Sequence, residues 1–360
     1  MNSSVDCCAF TVDSSIDCCT LAVETSMDDY NPFCLPIEIV LSAKHTVITS
    51  CDADSVDDCG QVRILPCMDD VKQSGILSLE CIYRLCCKIF EAFAKSPENA
   101  VVIGPCHSRT DLSNASLLAG AFRILCQEST LSDVIALLEP VSSCFERYEE
   151  DLTVHDALGA LDYAKKIGWL AFRSNFEHPA SVPVPANFLK LDMAEFMHYA
   201  SNVHGRVHIV VPGKIFVFPE PACERICSCQ SESVHFAQLG WADVKSARYF
   251  SAAFYAELLN NLKVNSVLKN RPSQPECAFR AKDIQVEDMD LSKCDAMLHK
   301  ADRLHRIASH PRSVIALQRC SGHASQGDRV LTMLLLTLLI RQYAFSPATS
   351  LAWLRMVLQS

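Results

Sequence analysis

A short apolar strand, a polar loop and a Leu-rich helix follow one another between Ser313 and Tyr343, and few folds can hold that succession. Ser313 to Gln318 reads as a buried strand. Arg319 to Arg329 is polar and carries Gly322 and Gly327. Val330 to Tyr343 then reads as an apolar helix, and Val330 to Ile340 is the most apolar stretch of the chain at eleven residues. Spanning a bilayer takes about 20 residues, so this helix belongs against a sheet and no transmembrane segment is expected. Strand, polar loop, helix is the repeating unit of α/β proteins.

The same grammar recurs upstream. Its first set comprises a strand in Pro36 to Ile48, a helix from Leu77 to Phe93, a strand from Ala100 to Gly104, and helices from Asn114 to Gln127, Thr130 to Leu138 and Thr153 to Gly168. A Pro-rich break spans Pro179 to Pro185, and a helix follows from Asp192 to Val203. The second set has strands Val207–Val211 and Ile215–Phe218 around a Pro212-Gly213 turn, a helix from Ala247 to Leu262, a strand from Val264 to Leu268 and a helix from Lys293 to Ser309. Pro347 to Met356 closes it. A chain of 360 residues accommodates two or three domains. The expected division is a loose tail over 1–29, a first domain over 30–178, a linker and inter-domain helix over 179–206, and a second domain over 207–360. In the tail, Ser3-Ser4-Val5-Asp6-Cys7-Cys8 recurs as Ser14-Ser15-Ile16-Asp17-Cys18-Cys19, too few copies for a repeat fold.

A net charge of −10 argues against broad nucleic-acid or anionic-membrane binding. The N-terminus shows no basic stretch followed by an apolar one, so no secretory signal is expected. Cys81, Cys86, Cys87 and Cys126 sit inside apolar runs, where they read as buried reduced thiols. A cytoplasmic or nuclear location follows from that reading.

The polar loop is the first place to look for chemistry. Loop N–H groups and a helix dipole converge on an anion in such an arrangement, and a thiolate there is nucleophilic. The chain offers Cys320 at the end of the strand, then Ser321, Gly322, His323, Ala324, Ser325, Gln326 and Gly327, then Arg329. Cysteine-dependent phosphatases use this layout, with a Cys and an Arg sharing one tight loop.

Longer stretches sharpen the comparison. Leu191-Asp192-Met193-Ala194-Glu195-Phe196-Met197-His198-Tyr199, continuing to Val210-Val211-Pro212-Gly213-Lys214-Ile215-Phe216-Val217-Phe218, resembles the inter-domain helix and "IVPGKFLAF" segment of the cell-division-cycle-fourteen family of dual-specificity protein phosphatases. Ile82-Tyr83-Arg84-Leu85-Cys86-Cys87-Lys88 is similar to that family's "VYRFCCK" helix, and Asp151-Leu152-Thr153-Val154-His155-Asp156-Ala157-Leu158 to its "LTILDCL" helix. Asn261 to Lys269 resembles "KKHNVTTIVRLN", and Tyr343 to Arg355 resembles the end of the catalytic domain. These matches run in family order from about Leu77 to Arg355. The resemblance implies an α/β fold of two tandem dual-specificity-phosphatase-like domains, each a central sheet flanked by helices, the first non-catalytic and the second tyrosine/dual-specificity phosphatase-like. It implies a phosphoprotein substrate or binding partner, and no metal or other cofactor. Cys320 would attack phosphorus, Arg329 would hold the phosphoryl oxygens, and Asp283 would protonate the leaving oxygen.

The loop departs from the family pattern. None of the twenty cysteines has an Arg six positions later. Anchored on the strand, Cys320 is the nucleophile but Arg329 lies nine residues on; anchored on the helix, His323 matches the family His, Ala324 replaces the nucleophile and Val330 replaces the Arg. The family's "DGSTP" segment is absent around Asp283. Two readings stay open: a pseudophosphatase that binds a phosphoprotein or partner, and a divergent enzyme working through a cysteinyl-phosphate. The family continues past the point matched by Arg355 with a "CRPGS" segment and a further helix, so exposed apolar surface on the second domain, and a partner to cover it, are also expected. Weaker constellations are a possible zinc set of Cys223, Cys227, Cys229 and His235, the strand-end pair Cys106-His107, and His299, His305 and His310 as solvated or capping groups.

Overall fold

A computed structural model describes residues 9–12, 37–41, 46–50, 62–64, 75–95, 101–106, 108–170, 191–222, 239–244, 247–269, 276–289, 296–319 and 326–358. The chain divides into two compact units, Met1–Pro183 and Val184–Ser360. Their boundary falls within the Pro-rich break.

The first unit holds strands β1 (Ala9–Val12), β2 (Ile37–Leu41), β3 (Thr46–Ser50), β4 (Val62–Ile64) and β5 (Val101–Cys106) in the order β1-β3-β2-β5-β4. Only the β4–β5 pair is parallel. The segment Pro36–Ile48, expected as one strand, contributes to both partners of the antiparallel pair β2–β3. Ala9–Val12 pairs with β3, so this part of the expected loose tail is a strand. Helices α1 (Leu79–Lys95), α2 (Arg109–Cys126), α3 (Leu131–Ser142) and α4 (Val154–Lys166) complete the unit. On α1 the buried side chains are Leu79, Ile82, Leu85, Cys86, Ile89 and Ala92, one apolar stripe at helical spacing. α3 and α4 both begin with a capping box, Thr130 with Asp133 and Thr153 with Asp156. At Gly120 of α2 an added Cβ would sit 2.7 Å from a Leu158 methyl, so the glycine is what lets α2 and α4 approach closely.

The second unit starts with α5 (Met193–Ala200), capped by the Asp192 carboxylate accepting from the Ala194 and Glu195 N–H groups. β6 (His208–Val211) and β7 (Ile215–Pro219) form an antiparallel hairpin. Its turn needs Gly213, which takes φ +61° while the Lys214 N–H donates to the Val211 carbonyl. A second hairpin, β8 (Trp241–Val244) with β9 (Ala247–Phe250), precedes α6 (Ala252–Asn261). Ala247–Phe250 was expected to open a helix. It pairs as a strand with β8, and Ser251 caps the helix by accepting from the Phe254 N–H. β10 (Ser266–Lys269), α7 (Glu276–Arg280), β11 (Gln285–Asp288), α8 (Met297–Ser309), β12 (Ile315–Arg319), α9 (Gln326–Tyr343) and α10 (Pro347–Leu358) follow.

The main sheet of this unit has the order β11-β10-β12-β7-β6, parallel except for β6. Strands covered on both faces are buried along their length, and β6, β10 and the first four residues of β7 and β12 are buried throughout. Phe218 meets Tyr255 of α6 and Phe279 of α7, which puts those helices on one face. Its neighbour Val217, in register with His208, points to the other face, toward α10. The Trp353 indole N–H donates to the Val210 carbonyl at 3.0 Å and joins α10 to the sheet edge. α9 buries Val330, Leu331, Leu334, Leu335, Leu338 and Leu339, while Met333 and Ile340 stay exposed, as does Leu298 on α8. The architecture is mixed α/β, with helices flanking a mostly parallel sheet in the second unit. The two sheets differ in strand direction: the described first one is mostly antiparallel, the second mostly parallel. No described helix is long and apolar enough to cross a membrane.

Candidate functional site

In open parallel sheets, loops that bind ligands leave the carboxyl ends of the strands. β12 is the middle strand of the five and the last added, filling the gap between β10 and β7. The segment 320–325 therefore leaves the centre of that edge and enters α9. Cys320, Ser321, Gly322, His323, Ala324 and Ser325 lie outside the described residues, as do the side chains of Gln326 and Gly327. α9 begins at Gln326, earlier than the sequence pattern placed it, so Arg329 sits in its first turn, where it is exposed.

Asp283 is at the other edge. β11 runs parallel to β10 and β12, with Gln285 level with Ser266 and Ser266 level with Ile315. Asp283 precedes β11, in an exposed turn with φ +58°. The five residues of β12 at about 3.3 Å each separate it from the loop by roughly 13 Å or more. Asp283 thus lies at the end of the sheet opposite to Arg319, where the described part of β12 ends. Sequence reasoning missed β11 because its pattern, Gln285-Val286-Glu287-Asp288, is mostly polar.

The side chains at the carboxyl edge are others. Lys269 ends β10 and is buried; its ammonium meets Glu276 of α7 at 2.6 Å and Asp288, at the end of β11, at 3.3 Å. The Lys269 ammonium beside Glu276 holds that carboxyl below its ordinary range. Arg303 of α8 meets Glu287 at 2.7 Å and donates to the Asp288 carbonyl. Gln318 is buried next to Arg319, which is exposed at the end of β12. On the other face His208 is buried, and loss of hydration pushes its imidazole down to about 4; the Arg319 and Arg206 charges act in the same direction. The only local signal for Lys269 was a basic residue directly after an apolar strand. For His208 it was an imidazole opening a Val-rich one.

The corresponding place in the first unit is filled. β5 runs into α2 at Cys106, which is buried, and Ser108 caps the helix by accepting from the Asp111 N–H at 3.0 Å. The Glu146 carboxylate accepts from the Thr110 hydroxyl, and the Glu146 N–H donates to Ser113 at 2.9 Å. Two carboxylates at this helix start, Asp111 and Glu146, disfavour a bound anion. His107 lies outside the described residues.

Cys223, Cys227, Cys229 and His235 are also outside the described residues. Among the described residues no group of three or more His, Cys, Asp or Glu side chains is placed to hold a metal ion. His299 is exposed, and His310 is the C-cap residue of α8, its Nδ1 accepting from the Arg312 N–H at 3.4 Å. Of the cysteines read as buried, Cys86 is; Cys81, Cys87 and Cys126 are half-buried, and all four are free thiols.

A scan against protein-family models gives no match, and a search of curated proteins gives none either.

Proposed function

We propose that the second unit is a phosphatase-like scaffold of the cell-division-cycle-fourteen type that binds a phosphoryl group on a partner protein without hydrolysing it. The observation that carries this reading is the placement of β12: a central strand of a parallel sheet delivers six residues, 320–325, into the start of an 18-residue helix. That arrangement suits an oxyanion, because helix-start N–H groups and nearby cations favour negative charge. Arg319 and Arg329 flank the segment.

Hydrolysis needs more than binding. The nine-residue interval from Cys320 to Arg329 differs from the family's six, and a misplacement of about 1 Å can cost on the order of a hundredfold in rate. A proton donor is required at the same edge, and Asp283 is not there. Asp288 is, but it is engaged by Lys269. The chain is therefore a pseudophosphatase by this reading, located in the cytoplasm or nucleus.

Assay of the purified full chain with an aryl phosphate is the direct test. The expected result is no release of phenol above the buffer rate, and no difference between the wild type and Cys320→Ser. Turnover that disappears in Cys320→Ser would overturn the reading in favour of an active enzyme. Cys320 would then attack phosphorus, the phenolate would leave, and water would hydrolyse the cysteinyl-phosphate.

A further inference from the structure

The chain doubles back where α5 gives way to β6. The Ser201 N–H donates to the His198 carbonyl at 3.3 Å, just past the end of α5. The Ser201 carbonyl then accepts from the His204 N–H at 3.1 Å and the Arg206 N–H at 3.2 Å, and the Val207 N–H returns to the Tyr199 carbonyl at 2.8 Å. Gly205 makes the reversal possible: its φ is +117°, and a Cβ there would sit 2.9 Å from a Leu258 methyl. This turn lays His204 over His198. The two imidazole rings stack with centroids 3.9 Å apart and planes 26° from parallel. The Tyr199 ring meets the His198 ring edge-on at 5.1 Å and supports its orientation. Both histidines are exposed, and among the described residues no protein group hydrogen-bonds to either ring. Glu195, also exposed, lies three residues before His198, a neighbour on the helix surface.

We propose that His198 and His204 are a two-imidazole site for a divalent transition metal of the nickel, copper and zinc group. Imidazole nitrogen is a favoured ligand of these ions, and the neutral ring is the ligating form. Bonds of about 2.1 Å to one ion place two nitrogens roughly 3–3.5 Å apart. Rings already face to face reach that spacing when their exposed side chains rotate and the planes open. Among the described residues no third His, Cys, Asp or Glu joins them as a ligand, so water completes the coordination shell. The Glu195 carboxylate adds a negative charge nearby, which favours a cation. The turn fixes both rings before the ion arrives. The second nitrogen therefore binds at high effective concentration, and the pair holds the ion more tightly than any single exposed histidine. A bound ion would tie the last turn of α5 to the entry of β6.

The test is protection from carbethoxylation. The full chain, in mildly alkaline buffer, is treated with diethyl pyrocarbonate with and without micromolar Ni2+, then digested with trypsin and read by mass spectrometry. Both rings fall in one tryptic peptide, Leu191 to Arg206, and fragmentation separates them. The expected result is that Ni2+ protects His198 and His204 together, that EDTA abolishes the protection, and that His299, a single exposed histidine on α8, reacts as it does without metal. His198→Ala should remove protection at His204, and His204→Ala at His198, each weakening Ni2+ on the order of a hundredfold. Far-UV circular dichroism checks that the variants fold; the comparison with His299 needs no variant. No protection at either ring, protection of one histidine that survives loss of the other, or equal protection at His299 would overturn the proposal.

Discussion

Trp353→Ala lowers the stability of the second unit by about 3–5 kcal/mol, the range for truncating a large aromatic in a core. Trp353 is fully buried, with Phe345 against it, and its indole N–H satisfies the Val210 carbonyl of β6. Truncation opens a cavity under α10 and leaves that carbonyl without its donor. With a urea dependence of about 2 kcal/mol per molar, the unfolding midpoint of this unit falls by roughly 1.5–2.5 M. Trp353→Phe keeps most of the volume and loses the N–H, so it costs less, about 1–3 kcal/mol. Urea unfolding followed by far-UV circular dichroism reads both. An unchanged midpoint in Trp353→Ala would show that α10 is not held to the sheet by this residue.

The second large effect is a loss of stability in acid through His208. Burial holds its pKa at about 4 in the folded chain, against about 6.5 in the unfolded one. The unfolded state therefore takes up the proton first as pH falls. Stability from the neutral imidazole is complete above pH 6.5 and drains away as pH approaches 4. Roughly 2 kcal/mol goes by pH 5 and about 3 kcal/mol by pH 4. The groups acting on His208 come from three places: Arg319 of β12 and Arg206 before β6 oppose protonation, and a hydrogen bond to the Val357 backbone of α10 favours it. Unfolding free energies of wild type and His208→Gln, measured from pH 7 to 4, isolate the contribution. The wild type should lose this increment relative to the variant, and parallel curves would contradict the assignment.

Strands buried on both sides were the most legible part of the sequence. Val207–Val211, Ile215–Phe218, Val264–Leu268 and Ser313–Gln318 are runs that only a covered sheet accommodates, and each became a strand within two residues of its expected bounds. The Pro212-Gly213 turn was visible because Gly213 needs the left-handed region. Elements defined by a partner were harder to see. Ala247–Phe250 has no strong local preference, and its strand state comes from pairing with Trp241–Val244. β11 is short and polar because it lies at the sheet edge, and without it the end of the sheet to which Asp283 belongs was not legible. The carboxyl-edge cluster of Lys269, Glu276 and Asp288 joins three separate elements, a juxtaposition that register creates and local pattern does not carry.

The central claim is that the segment between β12 and α9 grips an oxyanion through the cations flanking it. Calorimetric titration of the full chain with tungstate, a phosphate mimic, tests it most directly. The account predicts one site per chain, weakened about tenfold or more in Arg329→Met through loss of a charge-assisted contact. Tungstate binding that Arg329→Met leaves unchanged, or no binding at millimolar concentration, would contradict it.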